Sequence, residues 1–171
     1  SLLLIAIMML PMMMPFTAVF AADITTYVLD PGTLADVSGG KKAEGDTDTG
    51  GTDNFFTVHY KSGTKIESNA KDFLGFTSTK RIDFQGAINT SIPSGAISFT
   101  TQDAATIKLY WGCTSNLSQV GVYDANAEVV TQTNEEVVSN GLFVSELKID
   151  SEGKYYVGGM TAGFYLYKME V

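Results

Sequence analysis

Short runs of β-branched and aromatic residues recur along the chain after residue 23, and Gly, Asn, Asp and Ser separate them. Runs of this kind, bounded by turn-forming residues, are typical of β-strands. No stretch repeats apolar residues at the i, i+3, i+4, i+7 spacing of an amphipathic helix over three turns. The pattern predicts strands at 25–29, 55–60, 73–76, 81–84, 96–100, 106–111, 119–123, 128–133, 142–149, 154–157 and 164–171.

Short strands without intervening helices predict an all-β fold, an antiparallel, jelly-roll-like β-sandwich of about ten strands. Two turn sequences, at residues 124–127 and 150–153, are predicted to close hairpins between consecutive strands. Residues 31–54 lack the strand pattern and are rich in Gly, Thr and Asp. We expect them to form a flexible surface loop of the same domain.

The first 22 residues differ from the rest of the chain, because 18 of them are apolar and none is charged. Pro11 and Pro15 interrupt this segment, and Val19 and Ala21 are small residues at positions −3 and −1 of a cleavage site after Ala21. The arrangement predicts a signal peptide at 1–21, truncated at its start, with an uncleaved membrane anchor as the alternative. Residues 22–171 then form one domain, secreted or held at the cell surface, that makes no membrane contact after cleavage.

The scarcity of reactive side chains weighs against an enzyme. The 171 residues include one His and one Cys, so an internal disulfide is excluded and every catalytic triad would need His59. Alternation places His59 on the solvated face of its strand, opposite Phe56, Val58 and Tyr60. No Gly-x-Ser-x-Gly elbow is present, and Cys113 is predicted to be a small buried residue. No catalytic residue is assigned, and a small hydrolase is the weakest functional hypothesis.

The net charge of −8 and the lack of a basic stripe disfavour a nucleic-acid partner. Against this acidic background the pair Lys80–Arg81 and the residue Lys108 stand out. Alternation directs Trp111 to the core and predicts that Lys108 and Tyr110 are exposed. Such cations are suited to pair with ligand carboxylates, although scattered solvated charges are the alternative interpretation.

The segment DTDTGGTD at 46–53 places three carboxylates, those of Asp46, Asp48 and Asp53, within eight residues. Calcium favours such clusters of oxygen atoms, so these residues are calcium candidates. The twelfth position from Asp46 is Thr57 and not the Glu of an EF-hand. An acidic, solvated loop without metal is therefore the preferred interpretation, and no cofactor is assigned.

Several segments resemble one family of binding modules. They are TYVLD (26–30), GTDNFFT (51–57), TKRIDF (79–84), GAISFTT (95–101), ATIKLYWG (105–112), GKYYV (153–157) and FYLYKMEV (164–171). Together they are similar to the pectin-binding modules of carbohydrate-binding module family 77, which are attached to secreted bacterial pectate lyases. The resemblance extends over about residues 24–171. This sequence departs from the family in its KRIDFQ segment (80–85) and in a longer acidic loop at 44–53.

The resemblance implies a non-catalytic β-sandwich that binds homogalacturonan through basic side chains. By position, Lys80 or Arg81, then Lys108, and more weakly Lys154 correspond to the basic residues, and Tyr110 accompanies Lys108 on the predicted exposed face. The expected function is to target an attached or partner pectate lyase to acidic plant polysaccharide such as polygalacturonate, with a linked catalytic domain outside this chain. The alternative is a structural or adhesive domain of a bacterial cell-surface protein.

Overall fold

The structure is a computed structural model that describes residues 25–34, 42–88, 93–113, 115–134 and 137–171. The predicted signal peptide at 1–21 and part of the predicted loop at 31–54 lie outside the described residues. No helix in the described ranges is long and apolar enough to cross a membrane. The helical elements there are two 3₁₀ helices of three residues each, Pro31–Thr33 and Thr52–Asn54.

The described residues form twelve β-strands in two six-stranded sheets, and every strand pairing is antiparallel. Sheet I contains β1 (Val28–Leu29), β4 (Lys65–Phe73), β5 (Phe76–Phe84), β7 (Ala105–Gly112), β10 (Leu142–Ile149) and β12 (Phe164–Glu170). Sheet II contains β2 (Thr47–Gly50), β3 (Phe56–His59), β6 (Ala96–Thr101), β8 (Val120–Tyr123), β9 (Val129–Gln132) and β11 (Gly153–Gly159).

The strand order of sheet I is β10-β7-β12-β5-β4, with β1 also pairing with β12. The order of sheet II is β2-β3-β6-β11-β8-β9. The hydrophobic core draws alternate residues from the strands of both sheets, as in two sheets packed face to face. The predicted all-β antiparallel sandwich is therefore confirmed.

Strand β7 shows how alternation positions the core. Ile107, Leu109 and Trp111 are fully buried in it, as predicted, and each such side chain contributes about 1.5–3 kcal/mol when removed from water. The Trp111 indole N–H donates a hydrogen bond to Ser145 Oγ at 2.8 Å, so its one polar atom is satisfied. Cys113 is buried with a free thiol, in agreement with its predicted role.

One of the two predicted hairpins is confirmed. At the β8–β9 turn, the Asp124 carboxylate accepts hydrogen bonds from the backbone N–H groups of Asn126 (2.8 Å) and Glu128 (2.9 Å). The turn at residues 150–153 instead joins β10 of sheet I to β11 of sheet II, so the prediction of a hairpin there is wrong. The same turn residues suit both connections, because turn chemistry does not specify which sheet the next strand joins.

The β4–β5 hairpin differs from the prediction. The sequence predicts a strand at 73–76, but the chain turns at Leu74 and Gly75, where Gly75 has a φ of 83° that glycine adopts without strain. The preceding strand β4 is polar, and Ile66 is its only buried residue, so it lacks the alternation that indicates a strand. Strand β2 likewise lies within the predicted loop at 31–54, at the edge of sheet II.

Candidate functional site

The outer face of sheet I, directed away from the core, holds aromatic rings beneath the tip of the β4–β5 hairpin. The Phe73 ring centroid lies 5.6 Å from that of Tyr110 and 5.3 Å from that of Tyr167, and Phe76 lies 5.3 Å from Tyr110. Tyr110 is consequently only 7% exposed and Tyr167 only 1%. The prediction that Tyr110 is exposed is therefore wrong, because a hairpin distant in sequence covers the ring.

Arg81 is held by its neighbours on the same outer face. Its Nε donates to Glu67 Oε1 at 2.9 Å, and the guanidinium carbon lies 3.6 Å from the centroid of the Tyr165 ring. Burial lowers the pKa of Arg81, but hydrogen bonds with Tyr167 and Glu67 outweigh burial and raise the pKa overall. Arg81 of β5 thus contacts Glu67 of β4 and Tyr165 of β12 through its charged guanidinium group. A ligand carboxylate would have to compete with Glu67 for that group.

The other predicted cations are distributed over both sheets. Lys108 lies on the outer face of sheet I, where its Nζ is 3.8 Å from Glu146 Oε1. Lys80 precedes Arg81 in β5, so its side chain leaves the opposite side of the strand. Lys154 belongs to β11 of sheet II. The predicted ligand-binding residues do not converge on one exposed face, and their role in binding stays a prediction.

A cavity of about 850 Å³ opens at one end of the sandwich, beside the β6–β7 turn, the end of β10 and the residues that precede β1. Of the five predicted ligand-binding residues, Lys108 lines this cavity. The charged side chains of its wall are Lys108, Lys148, Asp103, Glu146, Asp150 and Glu170. Among the described lining residues four side-chain carboxylates accompany two ammonium groups, so this part of the wall is acidic overall.

The cavity wall combines aromatic rings with a hydroxyl group that lacks a partner. Tyr27 and Phe55 both line the cavity, and their rings stack with centroids 3.9 Å apart. On β6, Ile97 and Phe99 face the core, and the next inward position is Thr101 in the cavity wall. Thr101 is 9% exposed, and its Oγ1 is the one buried side-chain oxygen or nitrogen of the described residues without a hydrogen-bond partner.

The calcium candidates have separate roles in the structure. Asp48 accepts hydrogen bonds from Lys42 Nζ at 2.8 Å and from the Tyr60 hydroxyl at 2.9 Å. Burial raises the pKa of Asp48, but these two bonds outweigh burial and lower it. Asp46 accepts a backbone N–H, and Asp53 lies in the second 3₁₀ helix. No group of three or more His, Cys, Asp or Glu is placed to hold a metal ion within the described ranges.

His59 lies on the outer face of sheet II, opposite the core residues of its strand, as predicted. Its Nε2 is 2.8 Å from Ser98 Oγ, and its ring centroid is 6.1 Å from that of Tyr156. Burial, and then the charge of Lys154, lower the pKa of His59. Among the described residues no carboxylate is bonded to His59, so the His–Ser pair lacks the third member of a catalytic triad.

No protein-family model and no curated protein matches the chain. The solved structures similar to it include a chain from work on the Ruminococcus flavefaciens cellulosome and its expansion in glycan recognition. That chain has 18% identity and a TM-score of 0.45, and the match covers 86% of this chain and 92% of that one.

A second similar structure is the C-terminal CBM6 of the laminarinase LamC from Zobellia galactanivorans, with 8% identity, a TM-score of 0.34 and coverage of 85% of this chain and 98% of that one. A third is the isomalto-dextranase of Arthrobacter globiformis T6 in complex with panose, with 13% identity and a TM-score of 0.38. There the match covers 64% of this chain and only 21% of the enzyme. These likenesses are too distant to assign a ligand or a mechanism to this chain.

Proposed function

We propose that the chain is a non-catalytic polysaccharide-binding module whose ligand enters the cavity at the end of the sandwich. The observation that carries this proposal is the unpartnered hydroxyl of Thr101 in a wall that also holds the stacked rings of Tyr27 and Phe55. Ring faces with a few convergent polar groups, in a cavity of about 300–1,000 Å³, are typical of ligand sites. A sugar offers both an apolar C–H face and hydroxyl groups, and so matches this wall.

An unpartnered buried hydroxyl destabilises a folded protein by about 1–3 kcal/mol. Thr101 Oγ1 is itself buried, so the side chain would have to rotate to bring it to a ligand hydroxyl, and that pairing would recover part of the free energy on binding. An apolar ligand would leave the group without a partner and so would bind less tightly. The orphaned hydroxyl therefore supports a polyhydroxylated ligand more than an apolar one.

The charges of the cavity wall refine the pectin hypothesis that the resemblance to family 77 provides. Lys108 and Lys148 are suited to pair with galacturonate carboxylates. The four carboxylates of the same wall repel such groups, and Glu146 already lies close to Lys108. We therefore expect methyl-esterified pectin, in which most carboxylates are masked, to bind more tightly than polygalacturonate.

Secretion through the predicted signal peptide, and the targeting of an attached or partner pectate lyase, belong to the same proposal. A module that holds a polysaccharide for a separate enzyme needs no catalytic triad of its own. This is consistent with the environment of His59, which has Ser98 but no carboxylate as a bonded partner among the described residues.

The test is affinity electrophoresis through gels that contain polygalacturonate, highly esterified pectin or a neutral β-glucan, each at low and high salt. We expect Thr101→Val to weaken retardation about tenfold, equivalent to about 1.4 kcal/mol, whereas Thr101→Ser keeps the hydroxyl and serves as the matched control. Failure of every polysaccharide to retard the unmodified protein would overturn the proposal. Equal retardation of the Val variant would place the site outside the cavity.

A second candidate, a structural or adhesive domain, is favoured by one apolar edge of the sandwich. The edge strands β9 and β10 contact each other there. The exposed apolar residues of this edge are Val129, Val130, Val138, Leu142 and Val144. Exposed apolar patches beside edge strands favour packing against another domain. A protein that self-associates in light scattering at micromolar concentration, and that binds no polysaccharide, would support this candidate instead.

A further inference from the structure

The outer face of sheet II carries a row of hydroxyl-bearing side chains, one of which is a partly exposed tyrosine. Tyr156 on β11 lies in register between Ser98 on β6 and Tyr123 on β8, and Thr57 on β3 continues the row beyond Ser98. Directly opposed residues on neighbouring strands project from the same side of a sheet. Tyr123 is buried and Tyr156 is only partly buried, so the ring of Tyr156 is the aromatic ring of this row that reaches solvent.

The strand residues of this face carry almost no formal charge. The strands of sheet II contain two charged side chains, Lys154 and Asp48. Asp48 pairs in register with the core residue Val58 and so projects inward. His59 projects outward, but burial and the nearby Lys154 lower the pKa of its imidazole. At pH 7 the strand residues of the outer face therefore present one ammonium group among hydroxyl, imidazole and phenol groups.

The face is continuous with the cavity. Thr100 lines the cavity and lies directly opposite Lys154 in the β6–β11 pair. Ser98 and Tyr156 form another opposed pair of the same two strands, two residues further along. A strand rises about 3.4 Å per residue, so two residues place the row that contains Tyr156 about 7 Å from the edge of the cavity. A linear ligand that leaves the cavity along β6 and β11 therefore reaches Tyr156 next.

We propose that the outer face of sheet II, centred on Tyr156, is a second contact surface for the same polysaccharide, and that it binds an uncharged stretch of the chain that emerges from the cavity. This inference rests on the proposed function, because both surfaces bind one polymer. The Tyr156 ring packs against the C–H face of a sugar ring, and Thr57, Thr100 and His59 offer hydrogen-bonding groups beside it. Lys154, whose Nζ lies 5.4 Å from the Tyr156 ring centroid, flanks the side nearest the cavity.

Sheet I provides a matched tyrosine that is not available to a ligand. Tyr165 is also partly buried and also has a cation over its ring, but the Arg81 guanidinium lies only 3.6 Å from the ring centroid. Its ring face is therefore occupied by a group that is itself bonded to Glu67. Tyr165→Ala removes the same side chain as Tyr156→Ala from the other sheet, which makes it a suitable control.

The first test compares ligands of two lengths by isothermal titration calorimetry. The probes are highly methyl-esterified pectin and the methyl-esterified trimer of galacturonate. We expect Tyr156→Ala to weaken binding of the polymer about tenfold and to leave binding of the trimer unchanged. Thr101→Val should weaken the binding of both ligands, and Tyr165→Ala should leave the binding of both unchanged. Equal loss of polymer affinity in the two tyrosine variants would overturn the proposed surface.

The second test uses the unmodified protein, so it does not depend on the folding of any variant. The chain has one His, and its imidazole ¹⁵N–¹H signals therefore report on His59 alone. We expect pectin to shift these signals and the trimer to leave them in place. If pectin binds while the signals stay unmoved, the surface proposal fails and the cavity proposal remains. If neither ligand binds and electrophoresis shows no retardation, the proposed function fails as well.

Discussion

The two sheets of the sandwich have the same number of strands but different outer faces. Charged residues in the strands of sheet I number twelve: Lys65, Glu67, Lys71, Asp72, Lys80, Arg81, Asp83, Lys108, Glu146, Lys148, Lys168 and Glu170. The strands of sheet II have only Asp48 and Lys154. On sheet I the hairpin tip covers the aromatic rings, whereas on sheet II the Tyr156 ring stays partly open.

This difference identifies Arg81 and Lys168 of sheet I as cations that stabilise the fold. Arg81 is bonded to Glu67, and Lys168 Nζ lies 4.9 Å from the Phe76 ring centroid and 5.2 Å from that of Tyr110. These cations hold the β4–β5 hairpin against β7 and β12. In an acidic chain, a conspicuous cation is therefore as suited to internal pairing as to the recognition of an acidic ligand.

The largest effect should come from removing the cation that holds sheet I together. We expect Arg81→Ala to lower the free energy of unfolding by about 2 kcal/mol, because Glu67 loses its hydrogen bonds and Tyr165 its cation partner. The matched change on sheet II, Lys154→Ala, should lower it by less than about 0.5 kcal/mol, since Lys154 is exposed. Urea denaturation measures both values, and equal losses would contradict the proposed division between the sheets.

A smaller effect should come from the hairpin tip, where adjacent residues have opposite environments. Phe73 packs on Tyr110 and Tyr167, and Leu74 is fully exposed. We expect Phe73→Ala to lower the free energy of unfolding by about 1.5 kcal/mol, because the substitution removes the partly buried apolar contacts of the ring. Leu74→Ser should leave the midpoint of urea denaturation unchanged.

Near-UV circular dichroism provides a second measurement for this pair of variants. Uncovering Tyr110 and Tyr167 should reduce the aromatic signal of the Phe73 variant more than that of the Leu74 variant. If both variants keep the signal and the stability of the unmodified protein, the hairpin tip does not cover sheet I in solution. The contrast between a covered and an open sheet would then be lost.

Alternation predicted those parts of the fold in which a strand buries one face. Strand β10 is predicted at its observed bounds, and exposed positions alternate with buried ones from Val144 to Ile149. Strand β4 was not predicted, because one buried residue in nine creates no period. The pairing of strands into two sheets was also beyond prediction, since antiparallel order depends on contacts between residues far apart in sequence.

The candidate sites depended still more on such distant contacts. Alternation correctly placed Lys108 on an outer face, but it could not show that Glu146 from another strand lies beside it. Likewise the cavity that holds Thr101 is built from five separate segments of the chain. One signal was present in the sequence: a Thr follows Ile97 and Phe99 at the next inward position of β6, where alternation leads one to expect an apolar residue.

The smallest effect concerns the one titrating group on the open sheet. The pKa of His59 in the folded protein lies below its unfolded value of 6.5, because burial and Lys154 disfavour the imidazolium. The unfolded state therefore binds the proton more readily, so stability is complete above pH 6.5 and falls as the pH decreases toward the folded pKa. Between pH 7.5 and pH 5 we expect the free energy of unfolding to fall further in the unmodified protein than in the His59→Gln variant. The difference between the two falls should be less than about 1 kcal/mol, because solvent screens a half-buried ring.

Lys154→Ala should sharpen this result. Removing the neighbouring ammonium group takes away one of the two causes of the lowered pKa, so the NMR titration midpoint of His59 should rise while burial keeps it below 6.5. Arg81→Ala on sheet I is the control and should leave the midpoint unchanged. An unmoved midpoint in the Lys154 variant would mean that Lys154 does not lie over the Tyr156 ring beside His59 in solution. In that case the outer face of sheet II would have no cation between Tyr156 and the cavity, and Tyr156 alone would have to position a sugar there.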